Sequence, residues 1–179
     1  MQYLQSFDEL APGLVVSRLT YHCFDFSLPL TDPPTFDEAH EVAVVFEGDL
    51  VARFTWQLAP PRYERLVVGT HALNSDAELE ARERSDGGPY AVDATARWGL
   101  GGAVLQGHHV VLGETGFGLR EEWSCRLDFD HDRSLVVALG ELSSDTLVSY
   151  IPDSLVVTGN AEVARSYRPI ASDASAFGA

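Results

Sequence analysis

The chain has 179 residues, with 12 arginines, no lysine, 27 acidic residues and a formal net charge of −15. The absence of lysine excludes enzymes that need a lysine base, a lysine Schiff base or the lysine of a phosphate-binding loop. The negative charge gives the chain no general attraction for the nucleic-acid backbone or for an anionic membrane surface. Genomic codon bias or salt adaptation would each explain this composition, and neither is a function.

The size and composition fit one globular domain, because 45% of the residues are apolar and 22% are charged. We predict a single β-rich domain over residues 1–169 and a C-terminal tail over residues 170–179, which is small, polar and expected to be loose. No apolar run approaches the about 18 residues of a membrane-spanning helix, and the first residues lack a secretory signal. We therefore expect a cytoplasmic protein, or one of the host cytoplasm or virion if its source is viral.

Alternation of apolar and polar residues dominates the chain and predicts β-strands. The clearest example covers residues 50–58, for which one buried face is predicted. The residues expected on that face are Leu50, Ala52, Phe54, Trp56 and Leu58. Gly48 and Asp49 separate this strand from the apolar run 42–46 and predict a type II′ hairpin with positive φ at Gly48.

The same alternation of apolar and polar residues recurs along the chain and predicts about nine to ten strands in all. The further candidate strands cover residues 14–26, 64–70, 90–98, 104–112, 119–129, 135–139, 146–151, 155–158 and 163–167. In the first of them, one shared face is expected for Leu14, Val16, Thr20, His22, Phe24 and Phe26. Short turns between so many strands predict an antiparallel β-sandwich or β-barrel.

Helical signals are few. Ser75 and Glu78 form a capping box, which predicts one short surface helix near residues 75–85. Residues 5–10 are a weaker candidate for a second short helix. The segment 28–40 contains three prolines and is predicted to be a non-helical excursion.

An acidic cluster is predicted at the turn after residue 129. Asp128, Asp130 and Asp132 have the spacing of the first calcium-loop ligands, but Arg133 and Leu139 replace the glycine and glutamate that such a loop requires. We therefore predict an acidic hairpin tip that faces a protein partner. The candidate partner-binding residues are Asp128, Asp130, His131 and Asp132.

No cofactor or metal site is predicted. His108 and His109 are adjacent, so on a strand they face opposite sides and cannot share a metal ion. A metal-dependent enzyme would require at least two of the six histidines to converge; these are His22, His40, His71, His108, His109 and His131. Cys23 and Cys125 are expected to be buried free thiols rather than a disulfide.

Tryptophans fall on the predicted apolar faces of three strands. Trp56, Trp98 and Trp123 either share one packed core or, with Phe54, line the interior of a barrel. The barrel interpretation implies an aromatic cavity for a small apolar ligand.

These features favour a non-enzymatic, acidic protein–protein interaction module. Its partner would be a basic protein, because charge complementarity steers association, or copies of itself. One version is a subunit of a larger assembly, such as a virus-particle or phage component, and the other is an immunity-type or inhibitor-type protein. The alternative is a β-barrel that binds or transforms a small apolar ligand, as lipocalin-like or cyclase-like barrels do.

Overall fold

A computed structural model describes residues 10–23, 35–59, 63–72, 90–114, 120–144, 147–149, 154–168 and 174–178. The helix predicted near residues 75–85, and residues 5–9 of the helix predicted over 5–10, lie outside the described residues. Within the described ranges the chain forms twelve strands and one short helix. None of the described helices is long and apolar enough to cross a membrane.

The elements follow one another as strands, with the helix near the end. They are β1 (Val16–Cys23), β2 (Asp37–Ala39), β3 (Glu41–Phe46), β4 (Leu50–Ala59), β5 (Tyr63–Ala72), β6 (Tyr90–Asp93), β7 (Leu105–Glu114), β8 (Arg120–Phe129), β9 (Ser134–Leu139), β10 (Glu141–Ser144), β11 (Leu147–Ser149), β12 (Leu155–Thr158) and α1 (Ala161–Ser166).

Ten of the twelve strands form two antiparallel five-stranded sheets, as predicted from the alternating pattern, and β10 and β11 pair in a separate two-stranded sheet. The first sheet has the order β5-β4-β3-β1-β6, and the second has the order β2-β12-β9-β8-β7. Strand β5 packs against β8 and β9 of the other sheet. The architecture is that of a β-sandwich, and the described strands do not close into a barrel.

The two sheets are joined along one edge by a short ladder. The amide of Leu105 donates to the carbonyl of Leu14, and that of Val16 donates to Ala103, each over 2.8 Å. Val15 and Val104 form an antiparallel bridge between these contacts. This junction fixes one end of the sandwich.

The predicted face of the first strand is wrong because β1 carries a bulge directly after Val16. An extra residue reverses the alternation, since side chains in a strand have a period of two. Leu19 and Tyr21 therefore join Val16 in the core, whereas Thr20 and His22 point to the opposite face.

Strand β4 is buried on both faces, not on one. Val51, on the face predicted to be polar, is buried in a small second apolar cluster with Ala43 and Val45. Arg53, on the same face, is only 2% exposed. The outer face of the first sheet is thus covered around these residues.

The strand predicted over residues 90–98 ends at Asp93. The Asp93 carboxylate accepts a hydrogen bond from the amide of Thr95 over 2.8 Å, which favours a turn over a continued strand. The amide of Arg97 then donates to Ala94 over 3.2 Å. Trp98 consequently lies in a turn and not on a strand.

The strand predicted over residues 163–167 is instead helix α1. Asn160 caps the helix, because its side-chain oxygen accepts from the amides of Glu162 and Val163 over 3.0 and 3.2 Å. Ala164 is fully buried, and the helix contacts β12 on the second sheet.

The predicted hairpin at Gly48 and Asp49 is present, but its turn type differs. Gly48 has φ of 83° and Asp49 has φ of 66°. Positive φ at both central positions is typical of a type I′ turn, whereas type II′ needs it only at the first. His131 and Asp132, with φ of 55° and 56°, repeat this conformation between β8 and β9.

The described part of the C-terminal tail, residues 174–178, is packed against the second sheet instead of being loose. The hydroxyl of Ser124 donates to the carbonyl of Ala176, and Nη1 of Arg126 donates to that of Phe177, each over 2.7 Å. The Phe177 ring lies 4.3 Å from the Arg126 guanidinium and 4.1 Å from that of Arg165. These contacts, which composition does not reveal, hold the segment in place.

Candidate functional site

Two acidic turns lie at the same end of the sandwich. The amide of Glu47, in the β3–β4 turn, donates to the carbonyl of Val15 over 2.8 Å. Val15 bridges Val104, whose carbonyl accepts from the amide of Asp130 over 2.9 Å in the β8–β9 turn. This path spans three strand spacings, so the backbones of the two turns lie within about 14 Å of each other. We call this surface the acidic end and define it by Glu47, Asp49, Asp130, His131 and Asp132.

Asp130 anchors its turn rather than extending freely into solvent. Its Oδ1 accepts from Nη2 of Arg133 over 2.5 Å and from the amide of Val104 over 3.2 Å. Arg133 also donates to the carbonyl of Gly99 over 2.7 Å. The hydrogen bond from Arg133 is the main cause that lowers the pKa of Asp130 below its ordinary value of 3.8. Asp130 thereby fixes the position of the acidic turn.

The four residues predicted to bind a partner therefore divide into two pairs. Asp128 lies 2.8 Å from Nε of Arg126, so its charge, like that of Asp130, has an internal partner. His131 is 83% exposed, and Asp132 is exposed beside it. The second pair is the part of the predicted cluster that is presented to solvent.

Glu47 and Asp49 were not among the predicted site residues. Both are exposed in the β3–β4 turn. Their link to Asp130 passes through Val15 and Val104, which are distant in sequence and carry no polar side chain that would mark the contact. The sequence predicted the acidic turn with Asp130, His131 and Asp132. It did not predict that the turn with Glu47 and Asp49 lies beside it.

The described residues contain no group of three or more histidine, cysteine or acidic side chains that could hold a metal ion. Nε2 of His22 lies 3.9 Å from Glu41, and the ring of His40 meets that of Trp56 edge to face at 5.8 Å. Both cysteines are buried and free, which confirms the prediction.

The four residues predicted to line a barrel cavity belong instead to the packing of a sandwich. Phe54 and Trp123 are buried members of the main hydrophobic core cluster. Trp56 and Trp98 are partly buried and pack against that core. Because the described strands form open sheets, they do not enclose the barrel interior that the small-ligand interpretation required.

A buried polar network, which sequence patterns did not reveal, connects the two sheets. The Tyr21 hydroxyl donates to Oδ2 of Asp37 over 3.2 Å and accepts from Nε1 of Trp98 over 2.5 Å. Arg97 binds Asp37 through two nitrogens, with Nη2 at 2.5 Å from Oδ1 and Nε hydrogen-bonded to Oδ2. Asp37 is fully buried, and its charge is matched by a bidentate arginine.

A second charged pair is buried on the outer face of the first sheet. Nη1 of Arg53 is hydrogen-bonded to Glu41, which is also close to His22. Such pairs hold strands in register where hydrophobic contacts alone would tolerate a shift. Strands β3 and β4 carry Glu41 and Arg53, so the pair links neighbouring strands.

Comparisons of the chain with models of protein families, with curated proteins and with solved structures found no significant match.

Proposed function

We propose that this protein is a non-enzymatic protein–protein interaction module that binds a basic partner through the acidic end. One observation carries the proposal. Turns from different sheets present the exposed carboxylates of Glu47, Asp49 and Asp132 together at one end of the sandwich. The formal net charge of −15 adds a long-range field of the same sign.

The turns are held rigidly, which favours binding. Arg133 ties Asp130 to the carbonyl of Gly99, and the amide of Glu47 is bonded to Val15. A surface that is ordered before it meets its partner loses less conformational entropy on association. The acidic end therefore suits a partner with a basic surface of complementary shape.

Two settings are compatible with this activity. As an immunity-type or inhibitor-type protein, the module would cap a basic partner such as a toxin or nuclease. As a subunit of a larger assembly, it would use the acidic end to join a basic neighbour. Mass measurement of the purified protein separates these settings in part, because a stable monomer at high concentration counts against self-assembly.

The proposal is tested by capturing partners from an extract of the source organism at low and high salt and then measuring association with the purified partner. The variant Asp49→Asn/Asp132→Asn removes two charges from the acidic end. The control Asp93→Asn/Glu162→Gln removes two exposed charges from β6 and α1.

We expect the acidic-end variant to slow association several-fold at low salt, and the control to change it little. High salt should weaken this difference, since exposed charges are screened over about 10 Å at 0.1 M salt. Equal rates for the two variants would contradict the proposed surface.

A further inference from the structure

We propose that one face of the second sheet is a recognition site for a short turn with an aromatic side chain, presented by a partner protein. Residues 174–178, which we call the docked segment, occupy this site as an internal ligand. A partner's turn with the same order of side chains, namely small, aromatic and glycine, would replace it. The inference goes beyond the proposed function, because the site contains none of the residues that define the acidic end.

The surface under the docked segment is polar. Ser124 and Arg126 alternate along β8 with Cys125, which belongs to the main core cluster, so both point to the face opposite to Cys125. His109 of β7 pairs with Arg126 and shares that face. Arg165, in the last turn of α1, adds a second guanidinium. Three elements therefore supply a hydroxyl, an imidazole and two guanidinium groups to one surface.

The docked segment is a turn that holds its own shape. The amide of Gly178 donates to the carbonyl of Ser175 over 2.9 Å, and the hydroxyl of Ser175 donates to the carbonyl of Gly178 over 3.1 Å. Among the described residues, neither five-stranded sheet takes this segment as a strand. Its departure would therefore leave the ladders of both sheets intact, and a turn from another protein could take its place.

The site binds the main chain of the turn at two successive residues. Ala176 is fully buried; its amide donates to the carbonyl of Tyr167 over 2.8 Å, and its carbonyl accepts from the hydroxyl of Ser124 over 2.7 Å. The carbonyl of Phe177 accepts from Nη1 of Arg126, also over 2.7 Å. Ser124 is itself fully buried, so an occupant without an acceptor at this position would leave a buried donor unsatisfied.

The side chains that the site accepts are equally restricted. The Phe177 ring lies between two cations, 4.3 Å from the guanidinium of Arg126 and 4.1 Å from that of Arg165, which favours an aromatic over an aliphatic residue. Gly178 has φ of 96°, and a Cβ atom added to it would lie 2.7 Å from Cδ2 of His109. The site therefore selects an aromatic residue followed by glycine.

Charge favours a different protein over a second copy as the source of the incoming turn. A second copy carries the same segment, but each copy has a net charge of −15, which opposes their approach. A partner with no net charge, or with positive charge, does not meet this repulsion. The internal segment lowers the apparent affinity of any external turn in proportion to the fraction of sites that it occupies.

The test uses the peptide acetyl-Ala-Ser-Ala-Phe-Gly-amide, which has the sequence of the docked segment, and follows its binding by NMR. Its host is the full chain with Phe177→Ala/Gly178→Ala, which weakens the hold of the internal segment. We expect this variant to bind the peptide about tenfold or more tightly than the wild type, with shifted signals at Ser124, Arg126 and Arg165. Equal affinity for both chains, shifts confined to other residues, or no binding would overturn the proposal.

Modified peptides and hosts test the selectivity. Leucine in place of phenylalanine keeps the peptide apolar but removes both cation–π contacts, and should weaken binding about five- to tenfold. Alanine in place of glycine should weaken it about tenfold through overlap with His109. In the host, Arg165→Gln should weaken binding about threefold. The matched control Arg120→Gln removes an exposed arginine that does not contact the segment in the structure, and should change binding little. Equal binding across these peptides, or equal effects of the two arginine variants, would contradict the assignment.

A second measurement needs no variant. In native-state hydrogen exchange of the wild type, the amide of Ala176 should exchange by local opening, about tenfold or more faster than that of Val137 in the central strand β9 and with little dependence on urea. The same urea dependence for both amides would mean that the segment leaves only on global unfolding, and would overturn the proposal. A wild-type dimer that the peptide dissociates in sedimentation would assign the site to a second copy and overturn it too.

Discussion

The hydroxyl of Tyr21 and the carboxylate of Asp37 form a hydrogen bond across the core of the sandwich. Tyr21 lies on the inner face of the first sheet, and Asp37 pairs with Val157 on the second. Both residues are fully buried. The contact therefore ties the two sheets together with a polar interaction, which specifies their relative position more narrowly than apolar packing does.

Ionisation of Tyr21 should make the free energy of unfolding depend on pH in the alkaline range. Burial, and then the charge of Asp37, raise the pKa of Tyr21 well above its ordinary value of 10.0. Above about pH 10 the unfolded chain releases this proton while the folded chain keeps it, so stability falls by about 1.4 kcal/mol per pH unit until the folded group ionises. Below that pH the contribution is fully present.

The measurement is urea unfolding of the wild type and Tyr21→Phe at pH 8 and pH 11. At pH 8 the variant should lose about 1–3 kcal/mol, because Trp98 and Asp37 each lose a buried partner. At pH 11 the difference should be smaller by about 1 kcal/mol. A difference that is independent of pH would show that Tyr21 ionises normally.

Asp37→Asn should be among the most destabilising polar substitutions. It leaves the Arg97 guanidinium, whose side chain is 20% exposed, without its counter-charge. Breaking a buried ion pair costs about 3–5 kcal/mol, and partial exposure of Arg97 places the expected loss near the lower value. The matched control is Asp130→Asn, which breaks an ion pair with Arg133 at the surface.

Thermal and urea unfolding should show a much smaller loss for the control, since exposed pairs contribute little. Similar losses for the two variants would mean that the Asp37 network does not join the sheets as the structure shows.

The alternating pattern was sufficient to predict most strands and their antiparallel arrangement. It failed after Val16, because a bulge is a local change of register that depends on the neighbouring strand. It also failed at α1, whose six residues are too few to establish a helical period. The cap at Asn160 was the available sign of a helix start. The strand propensity of Val163 and Tyr167 outweighed it and led to the prediction of a strand.

Only one of the two turns that form the acidic end was predictable from the sequence. The turn with Asp130, His131 and Asp132 follows from local sequence, because apolar alternation stops on one side of it and resumes on the other. Glu47 joins that turn only through contacts between segments far apart in the chain. The pairing of Tyr21 with Asp37 is likewise a tertiary event, since β2 is three residues long and has no strand-like pattern.

The backbone of the β8–β9 turn gives a third prediction. His131 has φ of 55° and a side chain that is 83% exposed, so substitutions there act mainly through backbone preference. His131→Asn should preserve or raise stability, because asparagine tolerates this conformation. His131→Val should lower the unfolding free energy by about 1–2 kcal/mol, because a β-branched residue is strained there. Equal stability of both variants in urea would contradict the observed turn.

Packing of the C-terminal segment gives the last prediction. Gly178 has φ of 96°, and a Cβ atom added to it would lie 2.7 Å from Cδ2 of His109 on β7. Gly178→Ala should therefore cost about 1–3 kcal/mol through strain and overlap. The control is Gly107→Ala on the same strand as His109, where an added Cβ meets nothing within 4 Å, and the change should stay within about 0.5 kcal/mol.

Urea unfolding of both glycine variants, of His109→Ala and of Gly178→Ala/His109→Ala separates the two causes. Removing the His109 ring relieves the overlap but leaves the positive φ, so the double variant should cost less than the sum of the single changes. Full additivity would show that the ring does not contact the segment. If Gly178→Ala were as mild as Gly107→Ala, the C-terminal segment would not be packed against β7.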